Sequence, residues 1–298
     1  SGLRLYLIST KMWNHLPLDI LTYILSFLSP HSLARARAVS NHWRTCAGAR
    51  PSSCNGQPPW FAASRNNGSN MSCYVHNSSG GDWYGLPLNF LPGPIRPIHT
   101  LDGLVLCRSS GSMDLQLALL NPFTRRYSQL PKPSISRRNP AIGIVTLGPG
   151  LGPKATHFRV YVAGGMTTMA RGSASTYEPT WDMYDSDSNT WQVMGPIPAE
   201  FAVRLTVWTP NESVHIDGYL YWITSARAYS IMGFEIGSNK WVEFSPPMAD
   251  RLEFATLAKG ANGKLTVVGG SACSEGACMW ELGEGDRTGI WWQRCLVN

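Results

Sequence analysis

The chain has 298 residues, of which 43% are hydrophobic and only 15% are charged, and this balance excludes a disordered polypeptide. No stretch approaches the roughly 18 uninterrupted apolar residues of a membrane helix, so the sequence predicts no membrane span. The formal net charge of +6 lies almost entirely in residues 1–50, where six Lys or Arg accompany a single acid, Asp19. We therefore expect an acidic protein partner for this segment, and we disfavour nucleic acid because the rest of the chain is nearly neutral.

The first predicted elements are three short helices in residues 10–50, which we call the head. Leu16-Pro17-Leu18-Asp19 favours a helix start, because proline needs no amide partner in the first turn and an acid suits the positive end of the helix dipole. Apolar residues then recur with helical period as far as Leu28. Ser29-Pro30 ends this helix, since the residue before a proline avoids the helical region.

Two further helices complete the head. One is predicted from about 31 to 39, and the other begins at the N-cap Ser40-Asn41 and carries Trp43. Three helices of this size cannot bury their apolar residues among themselves, and domains this small usually need a staple or a partner. The surplus apolar surface therefore indicates that another protein covers part of the head.

Residues 51–298, which we call the body, read as short strands throughout. The strands fall into about five units, and each unit ends in an aromatic residue that is in most cases followed by proline. The closing aromatic residues are Trp83-Tyr84, Tyr127, Trp191, Trp241 and Trp291-Trp292. Their regular spacing indicates a repeat architecture, and the longest unit contains a Gly/Ser/Thr-rich loop at 164–179.

The head resembles an F-box. The resemblance rests on Leu16-Pro17, on the pattern Ile20-Leu21, Ile24-Leu25 and Leu28, on Leu33, and on Arg35-Ala36-Arg37-Ala38-Val39-Ser40 followed by Trp43-Arg44. Ser40 stands where the family often has cysteine, and Asn41-His42 stands where it usually has Lys or Arg. An F-box implies docking on a Skp-type adaptor protein, and adaptors of this type are acidic.

The body resembles kelch repeats, which form the four-stranded blades of a β-propeller. Residues 119–131 are also similar to the Asn-Pro-x-Thr…Leu-Pro signature of plant F-box proteins. Together the resemblances imply a mainly β chain with a small all-α N-terminal module, namely a three-helix F-box at 10–50 and a kelch-like β-propeller at 51–298. Five units are fewer than kelch propellers commonly have. Either the propeller is incomplete at the C-terminus, which we favour, or 51–98 holds further strands.

For a plant-type F-box/kelch-repeat protein, the resemblance implies the substrate-recognition subunit of a Skp–cullin–F-box (SCF) ubiquitin ligase. Such a subunit is not an enzyme and needs no cofactor. It binds a Skp-type adaptor, and through it a cullin, while the propeller binds a protein substrate whose identity the sequence does not give. The residues expected to bind the adaptor are Leu16, Pro17, Ile20, Leu21, Ile24, Leu25, Leu28, Leu33, Val39 and Trp43.

Substrate binding is expected in loops of the body, because propeller loops usually carry function. The candidate loops are 132–154, 164–180 and 224–230. The arginines that we expect to grip an acidic substrate are Arg125, Arg126, Arg137, Arg138, Arg171 and Arg227.

No catalytic or metal-binding constellation stands out in the sequence. The seven histidines are isolated, and Asp182, Asp185 and Asp187 fit a strand end and a turn better than a calcium loop. Seven scattered cysteines without a signal peptide favour reduced thiols in the cytoplasm and/or the nucleus. Two alternatives stay open: a propeller enzyme or sugar-binding protein with a helical cap, and a transcriptional cofactor that acts without a ligase.

Overall fold

A computed structural model of the chain describes residues 16–28, 32, 35–36, 39–48, 61–67, 70–77, 81–101, 104–112, 114–122, 125–148, 157–168, 175–207, 213–225, 228–271, 277–283 and 291–294. The chain divides into two compact units. The first unit comprises residues 1–94, 102–105 and 119–128, and the second comprises 95–101, 106–118 and 129–298.

Two helices of the head are described, and the first begins one residue later than predicted, because Pro17 is its N-cap residue and not its first helical residue. They are α1, Leu18–Ser26, and α2, Asn41–Gly48. Pro17 caps α1 in an extended conformation (φ −52°, ψ 144°), and its carbonyl accepts a hydrogen bond from the Leu21 amide at 3.0 Å. Ser40 caps α2, because its Oγ accepts from the Trp43 amide at 3.2 Å. Between them, residues 32, 35, 36 and 39 are helical, as the predicted second helix requires.

The head has a small core of its own. The buried residues Leu21, Leu25, Ala36 and Cys46 form this core, and Leu16, Leu28 and Trp43 pack against it half-buried. Outside this core, α1 exposes Leu18, Ile20, Tyr23 and Ile24 to solvent.

The rest of the chain is built from β-strands, with one helix. In chain order the elements are β1 Phe61–Asn67, β2 Asn70–Asn77, β3 Asp82–Leu86, β4 Ile95–Leu101, β5 Leu104–Ser109, β6 Leu117–Asn121, β7 Arg126–Gln129, β8 Ala141–Gly148, β9 His157–Ala163, β10 Met166–Thr168, β11 Ser175–Tyr177, β12 Thr180–Asp185, β13 Thr190–Pro196, α3 Ala199–Val207, β14 Val214–Ile216, β15 Tyr219–Ser225, β16 Tyr229–Glu235, β17 Lys240–Phe244, β18 Phe254–Lys259, β19 Leu265–Gly270, β20 Cys278–Leu282 and β21 Trp291–Arg294.

Most of these strands belong to four four-stranded sheets. The sheet orders are β4-β5-β6-β7, β8-β9-β12-β13, β14-β15-β16-β17 and β18-β19-β20-β21, which we number from the first sheet to the fourth. Chain order and sheet order coincide, which is typical of propeller blades. β10 and β11 pair as a hairpin inserted into the second sheet, and β1-β2-β3 form a separate three-stranded sheet. The predicted fold class, a small helical module followed by a mainly β, propeller-like body, is confirmed, whereas the kelch type of repeat stays a prediction.

The closing aromatic residues lie on the last strands of the sheets. Trp83 lies on β3, Tyr127 on β7, Trp191 on β13, Trp241 on β17 and Trp291 on β21. Two of them also link neighbouring sheets, since Trp191 Nε1 donates to the Pro131 carbonyl at 2.7 Å and Trp291 Nε1 donates to the Ser245 carbonyl at 3.2 Å. Pro131 and Ser245 both follow the closing strand of the preceding sheet, so these two closing tryptophans each connect their sheet to the preceding one by a hydrogen bond.

The second, third and fourth sheets pack on one another within the second unit. β14 packs against β8 on one side and against β18 on the other. The contact with the second sheet is close, because a Cβ on Gly143 would lie 2.8 Å from Leu220 Cδ1 and 2.9 Å from Trp222 Cζ2. Trp222 also donates from Nε1 to the Ile142 carbonyl at 3.1 Å. A glycine on β8 therefore allows a tryptophan of the third sheet to reach the backbone of the second.

α3 corrects the expectation that the body contains only strands. Its residues Phe201, Ala202 and Leu205 are buried in the core that the second and third sheets share. α3 has nine residues, and its apolar pattern is too short to be told from that of a buried strand. None of the described helices is long and apolar enough to cross a membrane.

Asp185 ends β12 and caps the turn that follows it, in agreement with the predicted turn. Its Oδ1 accepts from the amides of Asp187 at 2.9 Å and Ser188 at 3.3 Å, while its Oδ2 accepts from Arg159 Nε at 2.9 Å. Burial alone raises the pKa of Asp185, but these donors, together with His157, lower it to about 2. In the part of the chain that the structure describes, no group of three or more His, Cys, Asp or Glu is placed to hold a metal ion.

Candidate functional site

One side of α1 carries four apolar side chains that the head leaves exposed. They are Ile20, Tyr23, Ile24 and Phe27, and we call them the α1 face. Spacings of three and four residues place them on neighbouring helical turns. Ile20 is 46% exposed, Ile24 38% and Phe27 65%, and the rings of Tyr23 and Phe27 meet edge to face at 4.9 Å. Exposed apolar patches of this kind mark protein-binding surfaces, so the α1 face is the candidate docking site of the head.

The structure divides the described residues among those predicted to bind the adaptor into three groups by their exposure. Leu21 and Leu25 are 0% and 2% exposed, so they hold the head together and cannot contact a partner, which corrects their predicted role. Leu16, Leu28 and Trp43 are half-buried against this core. Four of the predicted residues, Pro17, Ile20, Ile24 and Val39, are exposed, and Leu33 lies outside the described residues.

Arg137 is buried inside the second unit, which corrects its predicted role in substrate binding. The side chains of Arg137 and Asp182 are both 0% exposed, and Arg137 Nη2 donates to Asp182 Oδ1 at 2.9 Å. Arg137 Nη1 donates to the carbonyls of Gly164 at 3.0 Å and Thr180 at 2.8 Å. Burial raises the pKa of Asp182, and the charge of Arg137 opposes that shift. Arg137 therefore fastens the segment before β8 to the end of β9 and to β12.

The next residue, Arg138, faces different surroundings. It lines a polar pocket of about 360 Å³, which we call the arginine pocket. The residues of this pocket are Arg96, Arg108, Ser109, Ser110, Ser112, Arg138 and Asn139. Three of them are arginines and none is an acid. A pocket with this composition suits an anionic group, since guanidinium groups bind carboxylate and phosphate oxygens in pairs.

Two arginines of the pocket, Arg108 and Arg138, make few side-chain hydrogen bonds with the described residues. Arg108 Nη2 donates to Asn139 Oδ1 at 3.1 Å, and burial together with the nearby charge of Arg96 lowers the pKa of Arg108. Arg138 Nε has no hydrogen-bond partner among the described residues, and neither Arg108 nor Arg138 forms an ion pair there. The main chain of Arg138 is fixed by two hydrogen bonds of 2.9 Å with Met166. The fold thus positions Arg108 and Arg138 beside the pocket, where their guanidinium groups can bind an anion.

The other predicted arginines are placed elsewhere. Arg125 lies in the first unit, where its Nη2 donates to Asn89 Oδ1 at 2.6 Å and its guanidinium lies 5.6 Å from the Phe90 ring centre. Arg126 is exposed at the start of β7, also in the first unit. Arg171 and Arg227 lie outside the described residues. Among the predicted arginines that the structure describes, only Arg138 lines the arginine pocket.

Two of the predicted substrate loops meet near this pocket. The pairing of Arg138 with Met166 joins the segment 132–154 to the segment 164–180. Gly164 and Gly165 adopt φ of +63° and +90°, and the Gly165 amide donates to Thr206 Oγ1 of α3 at 2.6 Å. Left-handed backbone at both positions explains the Gly-Gly pair at the end of β9.

A second and larger cavity in the second unit measures about 680 Å³. We call it the His–Lys cavity. The first strands of all four sheets, β4, β8, β14 and β18, contribute to its wall. Its polar residues are His99, His215 and Lys259, with hydroxyl groups from Thr146, Ser213 and Thr256. Burial lowers the pKa of His99 and of His215. The charge of His215 lowers that of His99 further, Lys259 lowers that of His215, and Asp217 acts in the opposite direction.

The sequence reasoning missed Arg96, Arg108 and the pairing of two histidines. A signal for the arginines existed, because Arg96 lies near the start of one strand and Arg108 near the end of the next. Only two residues separate these neighbouring strands, a spacing that favours a hairpin with both arginines at one end of the sheet. No comparable signal existed for His99 and His215, which are more than a hundred residues apart and meet only when the sheets assemble.

The comparisons with known proteins support the predicted resemblance of the head to an F-box. Residues 13–50 match the F-box-like family model. The chain is 25% identical over 295 residues to F-box only protein 6 of Arabidopsis thaliana, covering 91% of this chain and 56% of that protein. It is 24% identical over 188 residues to Protein UNUSUAL FLORAL ORGANS of Arabidopsis thaliana, covering 62% of this chain and 39% of that protein. The chain therefore spans about half the length of these relatives or less.

A solved structure, TolB from Acinetobacter baumannii, is similar with a TM-score of 0.47 and 12% identity, covering 86% of this chain and 57% of that chain. The head thus carries an F-box-like domain at residues 13–50, and most of the chain is similar in sequence to F-box only protein 6 of Arabidopsis. The predicted resemblance of the head to an F-box is confirmed.

Proposed function

We propose that this F-box protein is the substrate-recognition subunit of an SCF-type ubiquitin ligase. The head docks on a Skp-type adaptor and through it on a cullin, and the propeller-like body binds the protein to be ubiquitinated. The chain is then a non-catalytic subunit that acts by holding its substrate near the transfer chemistry of other subunits. Such a complex works in the cytoplasm and/or the nucleus.

The observation that carries this proposal is the α1 face on an F-box-like domain. Ile20, Tyr23, Ile24 and Phe27 form an apolar strip along one helix, which is the form in which a helix enters a partner's groove. Leu21 and Leu25, one position further round the helix, are buried in the head and set the orientation of that strip. The head therefore offers a pre-formed apolar surface to an adaptor.

The charge of the head favours the same partner. Residues 1–50 hold six of the 25 basic residues and one of the 19 acids of the chain. Arg35 and Arg44 are exposed in the described part of the head. A basic rim around an apolar strip matches an acidic, groove-bearing adaptor and speeds its encounter.

For the substrate, we place an acidic group in the arginine pocket. Arg96, Arg108 and Arg138 come together there, and no described acid lines the pocket. An incoming carboxylate or phosphate would replace the mutual repulsion of three cations by charge-assisted hydrogen bonds. This pocket takes over the role that the sequence assigned to Arg137 and Arg138 together.

The docking step is tested by exchanging the α1 face for polar residues. We expect Ile20→Ser with Ile24→Ser to weaken adaptor binding by at least tenfold, because burial of each isoleucine contributes roughly 1.5–3 kcal/mol. Affinity is measured with purified Skp-type adaptor. Val193→Ser, which changes a comparably exposed residue in the body, is the matched control and should leave adaptor affinity unchanged. Retention of full adaptor affinity by the double variant would contradict the docking proposal.

The substrate site is tested by removing two charges from the pocket. Arg96→Gln with Arg108→Gln should abolish capture of the substrate from native tissue under proteasome inhibition while adaptor binding persists. Arg251→Gln, an exposed arginine of the same unit, serves as the control. The captured protein is then tested as a substrate of the reconstituted ligase. Equal ubiquitination by the wild type and the pocket variant would place the substrate site elsewhere.

A further inference from the structure

The His–Lys cavity is not needed for adaptor docking and is separate in composition from the arginine pocket. We propose that it is a binding site for a small organic anion, that is, one acidic group on an apolar body. Its volume of about 680 Å³ lies within the usual range of roughly 300–1,000 Å³ for ligand pockets. The proposal concerns a ligand of the body and does not depend on the ligase function.

The lining has the two chemical parts that such a ligand needs. The apolar part consists of Ile98, Ile144, Val214, Ile223 and Leu257. The polar part combines the Lys259 amine, the imidazoles of His99 and His215, and hydroxyl groups such as that of Thr256. Every polar side chain in the lining can donate a hydrogen bond, and none is a carboxylate. The apolar wall would bury the ligand's body while the donors hold its acidic group.

The charges that line the cavity favour an anion. Burial lowers the pKa of His99 and of His215, the charge of His215 lowers that of His99 further, and the charge of Lys259 lowers that of His215. Asp217 is the acid that acts on His215, and it only partly offsets Lys259. An anion among the three groups would stabilise their charged forms, so binding should draw protons onto the histidines.

A metal ion suits this cavity less well. The described residues provide two imidazoles there and no third His, Cys, Asp or Glu in reach of them. The cation of Lys259 would also repel a metal ion. The arginine pocket differs from the His–Lys cavity, because its lining is polar throughout and its volume is about half that of the cavity.

The test uses phenylbutyrate as the anionic probe and its uncharged amide, phenylbutyramide, as the isostere, each titrated calorimetrically into the full chain. We expect saturable binding of the acid, at least tenfold weaker binding of the amide, and about tenfold weaker binding of the acid to Lys259→Gln. Lys259 is exposed to the cavity, so this change should not disturb folding, which a thermal melt checks. Lys240→Gln, at the start of β17, is the matched control and should bind as the wild type does.

The pH dependence adds a second measurement. Because protonated imidazoles are the better partners, affinity for the acid should rise as pH falls from about 8 to about 6, where a carboxylic acid is still ionised. His215→Gln should flatten this dependence. If phenyl phosphate binds in the same way and phenylbutyrate does not, the acidic group is a phosphate and the proposal stands. Equal binding of acid and amide, no effect of Lys259→Gln, or no saturable binding of either anion would overturn it.

Discussion

Arg137 and Arg138 are chain neighbours with opposite surroundings. The sequence placed both on a loop that grips a substrate, but one is fully buried against Asp182 and the other lines the arginine pocket. The sequence around an arginine does not show whether its side chain will be buried. The groups that bury Arg137, Asp182 and the Gly164 carbonyl, come from parts of the chain that are distant in sequence. Leu21 and Ile20 show the same limit in the head. The helical period places both in an apolar stripe, and only packing decides that Leu21 is buried and Ile20 is exposed.

The buried pair gives a prediction on stability. Arg137→Met should lower the free energy of unfolding by about 3–5 kcal/mol, because Asp182 would stay buried without its cation. Urea denaturation at neutral pH measures this change. Adding Asp182→Leu to the variant should recover part of the loss. The control Arg138→Met should change stability by no more than about 0.5 kcal/mol, and a loss as large as that of Arg137→Met would contradict the assignment.

Asp185 gives a prediction on acid stability. Its pKa is about 2 in the folded chain against an ordinary value of 3.8, so its contribution is fully present above the ordinary value and is lost as pH falls through about 2. Asp185→Asn should therefore cost about 2 kcal/mol at pH 7 and should reduce the loss of stability between about pH 5 and pH 2. Denaturant midpoints across this range measure both effects. Asp250→Asn, which changes an exposed acid, should keep the wild-type pH profile.

At the scale of elements, the sequence predicted where each sheet ends better than it predicted what packs at the junctions between sheets. The closing aromatic residues predict where each sheet ends, because the same side chain recurs at each junction and two of the indoles donate to the segment after the preceding sheet. The third sheet departs from this pattern. Trp241 Nε1 has no hydrogen-bond partner in the described part of the chain, and its ring instead packs near Phe201 of α3. α3 occupies the junction there, and its nine residues are too few to predict.

Trp191 and Trp241 therefore form a natural comparison. Trp191→Phe removes the hydrogen bond to the Pro131 carbonyl and should cost about 0.5–1.5 kcal/mol beyond the loss of ring area. Trp241→Phe removes ring area alone. Denaturation of the two variants measures the loss in the free energy of unfolding. Dividing each loss by the apolar area that the substitution removes from contact separates the contribution of the hydrogen bond from that of the ring. Identical costs per unit of lost area would show that the indole hydrogen bond contributes nothing.

At the scale of the whole molecule, charge and contact surfaces are unevenly distributed. Residues 1–50 hold nearly all of the net charge, whereas the body holds both described pockets. The charge and the apolar period of α1 could be read from the sequence because both depend on neighbouring residues. The pockets could not, since each needs side chains that are distant in sequence, as His99, His215 and Lys259 show.

This division predicts how salt acts on the proposed adaptor complex. Raising ionic strength from about 0.05 to 0.5 M should slow association several-fold and leave dissociation nearly unchanged, because rim charges steer the encounter while the α1 face supplies the contact. Surface plasmon resonance separates the two rates. Arg35→Gln with Arg44→Gln should weaken the salt effect, because it removes two of the six basic residues in 1–50. A dissociation rate that rises steeply with salt would instead mean that ion pairs hold the complex.

The contact of Trp222 with Trp241 has an optical consequence. Their rings stack with centroids 6.0 Å apart and planes 24° from parallel, and Trp222 also donates to the Ile142 carbonyl of the second sheet. Two indoles held at this distance and angle couple their electronic transitions, so they should give a paired circular-dichroism band that exists only while both rings stay locked. The native chain thus contains an intrinsic reporter of packing within the third sheet, with which loosening of that sheet can be followed without an added label.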